Sequence, residues 1–218
     1  MRQMPVQAKI CGLNSAIAVT AAVSGGARFV GFVFYPPSPR AVDVAAAAAL
    51  AGSVPAATAR VGLFVDETDA RLAEVLASVP LDMLQLHGAE TPARVAAIRA
   101  RFGLPVMKAL KVAEPADLDL AAAYDDAADW LLFDAKPPAR LENALPGGNA
   151  VSFDWRLLAG RSWARPWMLS GGLHDGNLAE AVATTGAAVV DVSSGVEDAP
   201  GRKSPRKIIE FLALAARL

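Results

Sequence analysis

Residues 59–88, "ARVGLFVDETDARLAEVLASVPLDMLQLHG", change hydrophobic period twice. The opening "ARVGLFVD" is a short apolar run that stops at Asp66, with the length and punctuation of a strand. Leu72, Val75, Leu76 and Val79 then recur at i, i+3, i+4 and i+7, which marks one apolar face of a helix. "LDMLQLHG" returns to strand character and closes at Gly88. Strand, helix and strand in that order, with near-continuous apolar strands, predict parallel pairing and burial on both faces.

Working outward, the same unit recurs. "VQAKICG" and "RFVGFVF" lie upstream, and "LPVMKAL", "DWLLFDA", "RPWMLSGG" and "AAVVDVSSG" lie downstream, which makes eight strand-like runs. Between them "TPARVAAIRARFG" offers Thr91 as N-cap, Pro92 at the first helical position, Val95, Ile98 and Phe102 on one face, and Gly103 as stop. The chain closes on "SPRKIIEFLALAARL", with Ile208, Phe211, Leu212 and Ala215 on one stripe. Strict alternation predicts an α/β fold, a single closed (β/α)₈ TIM barrel over residues 1–218. An open doubly wound sheet is the competitor; "ICGLNS" after the first run lacks its GxGxxG fingerprint. The Pro/Gly-rich "AKPPARLENALPGGNA" has the length of a functional loop.

With 54% hydrophobic and 20% charged residues the chain has the composition of a globular protein, and a net charge of -1 leaves none of the clustered basic surplus a nucleic-acid partner needs. One cysteine excludes an internal disulfide, and "MRQMPVQAKI" lacks the apolar core of a secretory signal. The uncharged stretch 44–59 is mostly alanine, interrupted by Gly52, Ser53, Pro55 and Thr58, and falls short of a membrane span. A cytoplasmic protein without a membrane segment is expected.

In a parallel barrel the active site lies at the C-terminal strand ends. Here those ends carry Lys9 and Cys11, Arg40, Asp66, Gln85 and His87, Lys108, Asp134 and Lys136, Ser170, and Asp191 with Ser193. Alternation puts Lys9 with Cys11, Gln85 with His87, and Asp191 with Ser193 on shared faces. Taken singly, Cys11 reads as a small core hydrophobe, His87 as a core histidine, and Asp66 and Asp134 as helix caps. Their convergence on one rim argues for a pocket. "LSGGLHDGN" and "DVSSGVEDAPGRKS" close the seventh and eighth runs, where barrels frequently bind phosphate on backbone N–H groups.

Taken together, "KICGL", "GFVFYPPSPR", "RVGLFVD", "LQLHG", "LLFDA", "FDW", "LSGGL" and "DVSSGVE" with "PGRKS" resemble the phosphoribosylanthranilate isomerase family of tryptophan biosynthesis, along nearly the whole chain. The resemblance implies a cofactor-free and metal-free Amadori rearrangement of N-(5-phosphoribosyl)anthranilate to 1-(2-carboxyphenylamino)-1-deoxyribulose 5-phosphate. It implies Cys11 as general base and Asp134 as general acid, Arg40 on the anthranilate carboxylate, phosphate on Gly171, Gly172, Ser194 and Gly195, and Gln85, His87 and Asp191 against substrate. For that chemistry Cys11 should favour the thiolate, with Lys9 as the candidate cation, and Asp134 must hold a proton for part of the cycle. The partner expected is a small phosphosugar, met by a monomer. The chain departs from the family at "GGNAVSFDW", where Asn149 and Ala150 replace the common Thr or Ser and Gly, and at "CGLNS". Two related barrels, a histidine-pathway Amadori isomerase and indole-glycerol-phosphate synthase, fit less well, since neither is expected to use a cysteine here. A non-catalytic phosphosugar-binding barrel is the alternative from another class.

Overall fold

The computed structural model describes residues 5–137 and 145–218. Residues 138–144, within the expected functional loop, lie outside them. Eight strands, β1 (Gln7–Cys11), β2 (Phe29–Val33), β3 (Ala59–Phe64), β4 (Met83–Leu86), β5 (Val106–Val112), β6 (Trp130–Ala135), β7 (Trp167–Leu169) and β8 (Val189–Val192), pair in parallel in chain order. Pairing of β8 with β1, Lys9 opposite Asp191, closes the barrel and rules out the open sheet.

The helices are α1 (Ala16–Ser24), α2 (Val44–Gly52), α3 (Asp69–Ser78), α4 (Pro92–Phe102), α5 (Pro115–Asp119), α6 (Leu178–Thr185) and α7 (Pro205–Ala215). The expected signals act locally. The Thr91 hydroxyl accepts the Arg94 N–H, Pro92 opens α4, and Gly103 ends it in the left-handed region at φ 65. Leu72 and Val75 of α3 are fully buried. Alternation is less strict than expected. The chain after α5 tightens into a 3₁₀ turn at Leu120–Tyr124, and the described part of the β6–β7 connection carries a 3₁₀ turn at Trp155–Leu158. Asp154 caps that turn, Gly160 at φ 68 follows it and Pro166 precedes β7, so little room remains for a longer helix. No helix among the described residues is long and apolar enough to cross a membrane.

The site's position follows from the pleat. Side chains that point into the barrel near its floor, among them Phe29, Val61, Met83, Met107, Leu132 and Met168, form an apolar cluster of their own. Burying each contributes roughly 1.5–3 kcal/mol. Two residues further along the same strands, on the same face, the residues become polar: Met83 is followed by Gln85, Leu132 by Asp134, Met168 by Ser170 and Val189 by Asp191. The floor therefore stabilises the barrel, while the mouth collects charge. Beyond β8 an antiparallel pair, β9 (Glu197–Ala199) and β10 (Arg202–Lys203), brings Glu197 opposite Lys203.

Candidate active site

Among the site residues expected from the sequence, all except Gly195 line one pocket at the C-terminal mouth. Its foundation is a buried ion pair. Lys9 Nζ donates to Asp191 Oδ1 at 2.8 Å, and Asp191 Oδ2 accepts the Ser170 hydroxyl at 3.1 Å. Burial pulls the Lys9 ammonium down, but the charge and hydrogen bond of Asp191 work against it and the net direction is up.

Cys11 ends β1, opposite Gly31 of β2. A Cβ on Gly31 would lie 3.1 Å from Cys11 Sγ and 3.2 Å from Lys9 Nζ, so the glycine makes room for both groups at once. Here the structure corrects one expectation. Burial pushes the Cys11 thiol up, and the attraction of Lys9, already spent on Asp191, is too small to reverse it. Cys11 rests as a thiol.

Across the mouth, Asp134 is the penultimate residue of β6 and β4 leads into His87. Asp134 Oδ2 lies 3.1 Å from His87 Nε2, and Oδ1 accepts the Ala135 N–H at 2.9 Å. Gln85 Nε2 lies 2.9 Å from His87 Nδ1. A Cβ on Gly147 would meet His87 Nε2 at 2.7 Å and Asp134 Oδ2 at 3.0 Å, so a bare backbone covers this pair. Asp66 and Asp134, weighed above as helix caps, do not cap: Thr68 caps α3, and the Asp66 carboxylate accepts the Ala89 N–H at 2.7 Å.

Arg40, which the resemblance places on the anthranilate carboxylate, already holds a carboxylate of the chain itself. Its Nε and Nη2 donate to Glu197 Oε1 and Oε2, both at 2.8 Å, and Nη2 also reaches Gly148 O at 3.2 Å. Nη1 has no hydrogen-bond partner among the described residues. Lys203 Nζ, fully buried, donates at 2.8 Å to Glu197 Oε1, the oxygen that also accepts from Arg40 Nε, and to Ser193 O at 2.8 Å. Burial alone would raise the Glu197 carboxyl; Arg40 and Lys203 reverse that and hold it low. Neither Glu197 nor Lys203 was singled out from the sequence, although "SSGVE" and "PGRKS" contain them. In the departing stretch, Asn149 exchanges two hydrogen bonds with the backbone of Leu145, at 2.7 and 3.0 Å. Ala150 takes φ 56, a left-handed conformation that costs a non-glycine residue roughly 1–2 kcal/mol.

On the opposite side, Gly171 (φ 92) and Gly172 (φ 64) turn the chain after β7. A Cβ on Gly171 would meet Ala135 N at 2.8 Å, and one on Gly172 would meet the Val151–Ser152 backbone at 2.8 Å. Gly195, outside the pocket wall, packs where a Cβ would overlap Leu173 O. Three loops thus approach backbone to backbone. The N–H groups of Gly171 and Gly172 have no backbone acceptor among the described residues, and Ser194 and Gly195 open the 3₁₀ turn Ser194–Val196, whose first N–H groups lack an intrahelical acceptor; such donors suit an oxyanion. Other polar strand ends stay out of the pocket. Lys108 pairs with buried Glu90 at 2.6 Å, and exposed Lys136 pairs with Asp117 at 2.8 Å.

A parallel barrel whose mouth combines a thiol, a carboxylate, a guanidinium and backbone N–H donors defines the class of barrel enzymes that rearrange phosphorylated small molecules by moving protons. Comparison with known proteins is specific. The model of the N-(5'phosphoribosyl)anthranilate (PRA) isomerase family matches residues 8–213. N-(5'-phosphoribosyl)anthranilate isomerase of Rhodospirillum centenum is 65% identical over 99% of this chain and 100% of its own, and that of Paracoccus denitrificans is 59% identical over 97% and 98%. Among solved structures, phosphoribosyl anthranilate isomerase from Thermotoga maritima is similar at a TM-score of 0.87 and 34% identity, over 98% of this chain and 100% of its own. Another, at a TM-score of 0.83 and 33% identity over the same shares, is a complex with reduced 1-(o-carboxyphenylamino)-1-deoxyribulose 5-phosphate. The chain belongs to the N-(5'-phosphoribosyl)anthranilate isomerase family, and its reaction is that isomerisation, a step of tryptophan biosynthesis.

Proposed function

We propose that Cys11 and Asp134 carry the rearrangement as base and acid. The observation that carries this reading is their placement on strand ends lining one pocket, between Arg40 and the backbone N–H donors of the β7 and β8 loops. Asp134 protonates the ribose ring oxygen as the anilino nitrogen pushes its electron pair toward C1, opening the ring to an iminium. Cys11 as thiolate then removes the C2 proton, and the electron pair of that C–H bond neutralises the iminium to give an enolamine. Tautomerisation puts a proton on C1 and releases one from the C2 hydroxyl. When Cys11 supplies the first and Asp134 receives the second, both groups return to their starting states. A thiol with a raised pKa is scarce as thiolate near neutrality but a stronger base once ionised, which suits proton abstraction from carbon.

The two anionic ends of the substrate lie against two different chemistries. Phosphate is held by the N–H groups of Gly171, Gly172, Ser194 and Gly195, and the anthranilate carboxylate by Arg40 through Nη1, with Gln85, His87 and Asp191 lining the space between. Glu197 acts as a positioning residue for Arg40. Replacing it, Glu197→Gln, is expected to raise KM about tenfold with kcat little changed, since one charge-assisted hydrogen bond contributes about 1.5–3 kcal/mol. Unchanged KM would remove it from substrate binding. The small phosphosugar is met by residues 1–218 acting as one cytoplasmic, monomeric barrel domain without nucleic acid.

Fluorescence of phosphoribosylanthranilate, generated in situ, tests the assignment of the acid. Native protein should quench it rapidly, and Asp134→Asn should lower kcat about 10²-fold with KM nearly constant. An Asp134→Asn variant as fast as the native protein would end this role for the aspartate.

A further inference from the structure

Lys108 and Asp66, two polar strand ends that the pocket leaves out, meet in a cluster behind His87. Lys108 Nζ donates to Glu90 Oε2 at 2.6 Å and to Gly88 O at 2.7 Å, and both charged side chains of this pair are almost wholly buried. The Gly88 N–H is shared by the two Glu90 oxygens, 3.1 Å from Oε1 and 3.0 Å from Oε2. Asp66 joins from the end of β3: its N–H donates to Glu90 Oε1 at 2.8 Å, and its carboxylate accepts the Ala89 N–H at 2.7 Å. It takes φ 50, a left-handed conformation uncommon outside glycine, and a Cβ on Gly88 would lie 2.5 Å from its carboxylate carbon. Tyr124 closes the cluster, its hydroxyl donating to Glu90 O at 2.9 Å.

The residue fixed by this grip is His87. On its N-terminal side the His87 N–H donates to Phe64 O at 2.8 Å, and on its C-terminal side the peptide that joins it to Gly88 is held by Glu90. A residue has only two soft backbone dihedrals, so pinning both flanking peptides sets the direction of its Cβ. The ring that follows lies 3.1 Å from Asp134 Oδ2, while Asp134 Oδ1 accepts the Ala135 N–H at 2.9 Å. Those two contacts fix the plane of the carboxyl group. Stability alone does not account for the two charges behind it, because apolar side chains of similar volume commonly match or exceed a buried ion pair.

We infer that Glu90 and Lys108 are positioning residues: by clamping the N–H and C=O of Gly88 they set the His87 ring against Asp134, and through it the direction in which the acid presents its proton. Neither side chain lines the pocket, so neither touches substrate. Their mark is a lower kcat at nearly constant KM. The inference rests on the reading of Asp134 as the acid, and its test separates the two.

Two ion pairs at opposite ends of the barrel provide that test. Lys108→Met combined with Glu90→Leu removes the clamp without leaving a charge unpaired. At the floor, Arg60 Nε and Nη2 donate to Asp82 at 2.7 and 2.8 Å, and Asp82→Asn weakens that pair as a control. The chain has two histidines, so the ring resonances of His87 are readily assigned with a His174→Gln sample. The double variant should lower kcat about ten- to hundredfold with KM within about threefold, and should displace the His87 ring resonances. Asp82→Asn should leave both as in the native protein. Glu90→Gln, which keeps the shape and one acceptor oxygen, should fall between them and serves alone should the double variant not fold. His87 resonances that stay native in a folded clamp variant overturn the inference, whatever the rate. Displaced resonances at native kcat overturn it as well while Asp134→Asn is slow. Displaced resonances at native kcat together with a fully active Asp134→Asn would instead remove the acid assignment and leave the clamp on His87 standing.

Discussion

Replacing Cys11 with alanine is expected to lower kcat about 10³- to 10⁴-fold, at the upper end of what one general base contributes, while KM moves by no more than about threefold. The side chain is 4% exposed and small, and the truncation should cost about 1 kcal/mol of stability. Loss of rate with the fold retained is therefore the signature of chemistry. Cys11→Ser separates reactivity from shape, because a hydroxyl of similar size does not ionise near neutrality; it should be nearly as slow as alanine. A serine variant with native kcat would return the residue to packing. Burial pushes the thiol pKa up, so thiolate accumulates only as pH climbs, and native kcat/KM should rise from neutral toward alkaline pH. That rising limb should vanish from the residual rate of Cys11→Ala. The same shift has a consequence for stability. The folded chain holds the thiol proton more tightly than the unfolded chain, so this contribution is complete below the unfolded thiol pKa of about 8.5 and is lost as pH rises toward the folded value.

Lys9→Met should destabilise the barrel by about 3–5 kcal/mol, the cost of removing one partner from a buried ion pair. Asp191 would keep the Ser170 hydroxyl and lose its cation at a largely buried position. Urea denaturation would measure the loss as a lower midpoint at unchanged slope. The double variant Lys9→Met with Asp191→Leu should recover most of it, because the penalty belongs to the orphaned carboxylate and not to the missing ammonium. Activity would not return with stability. Cys11 would have lost the nearest positive charge that offsets its thiolate, and the double variant should remain slow at neutral pH. A single variant within about 1 kcal/mol of native stability would contradict the pairing.

Strand order, the barrel class and the position of the site near its mouth were legible because they depend on local periodicity and on the two-residue alternation of strands. Cys11, Asp134, Gln85 and His87 were accessible for the same reason: each ends an apolar run on an inward-facing position. Less was legible where function depends on partners far apart in the chain. Arg40 looked free to fork onto a carboxylate, yet its Nε and Nη2 belong to Glu197, distant in sequence and brought close by β9 and β10. Lys9 looked like a cation for the thiolate, and the closure of β8 onto β1 gave it to Asp191 instead. Gly31 is silent in the sequence, because a glycine in a strand carries no chemistry until the space around its missing Cβ is known.

What the sequence determined by itself was therefore the set of groups and the surface that collects them, since hydrophobic period, caps and turn residues act over a few neighbours. Tertiary structure alone decided how those groups are paired: which carboxylate neutralises which cation, which imidazole nitrogen faces Asp134, and how far burial raises the Cys11 thiol. Those outcomes follow from distances of a few ångströms in a low-dielectric mouth, where a charge interacts with whatever the closed barrel places beside it.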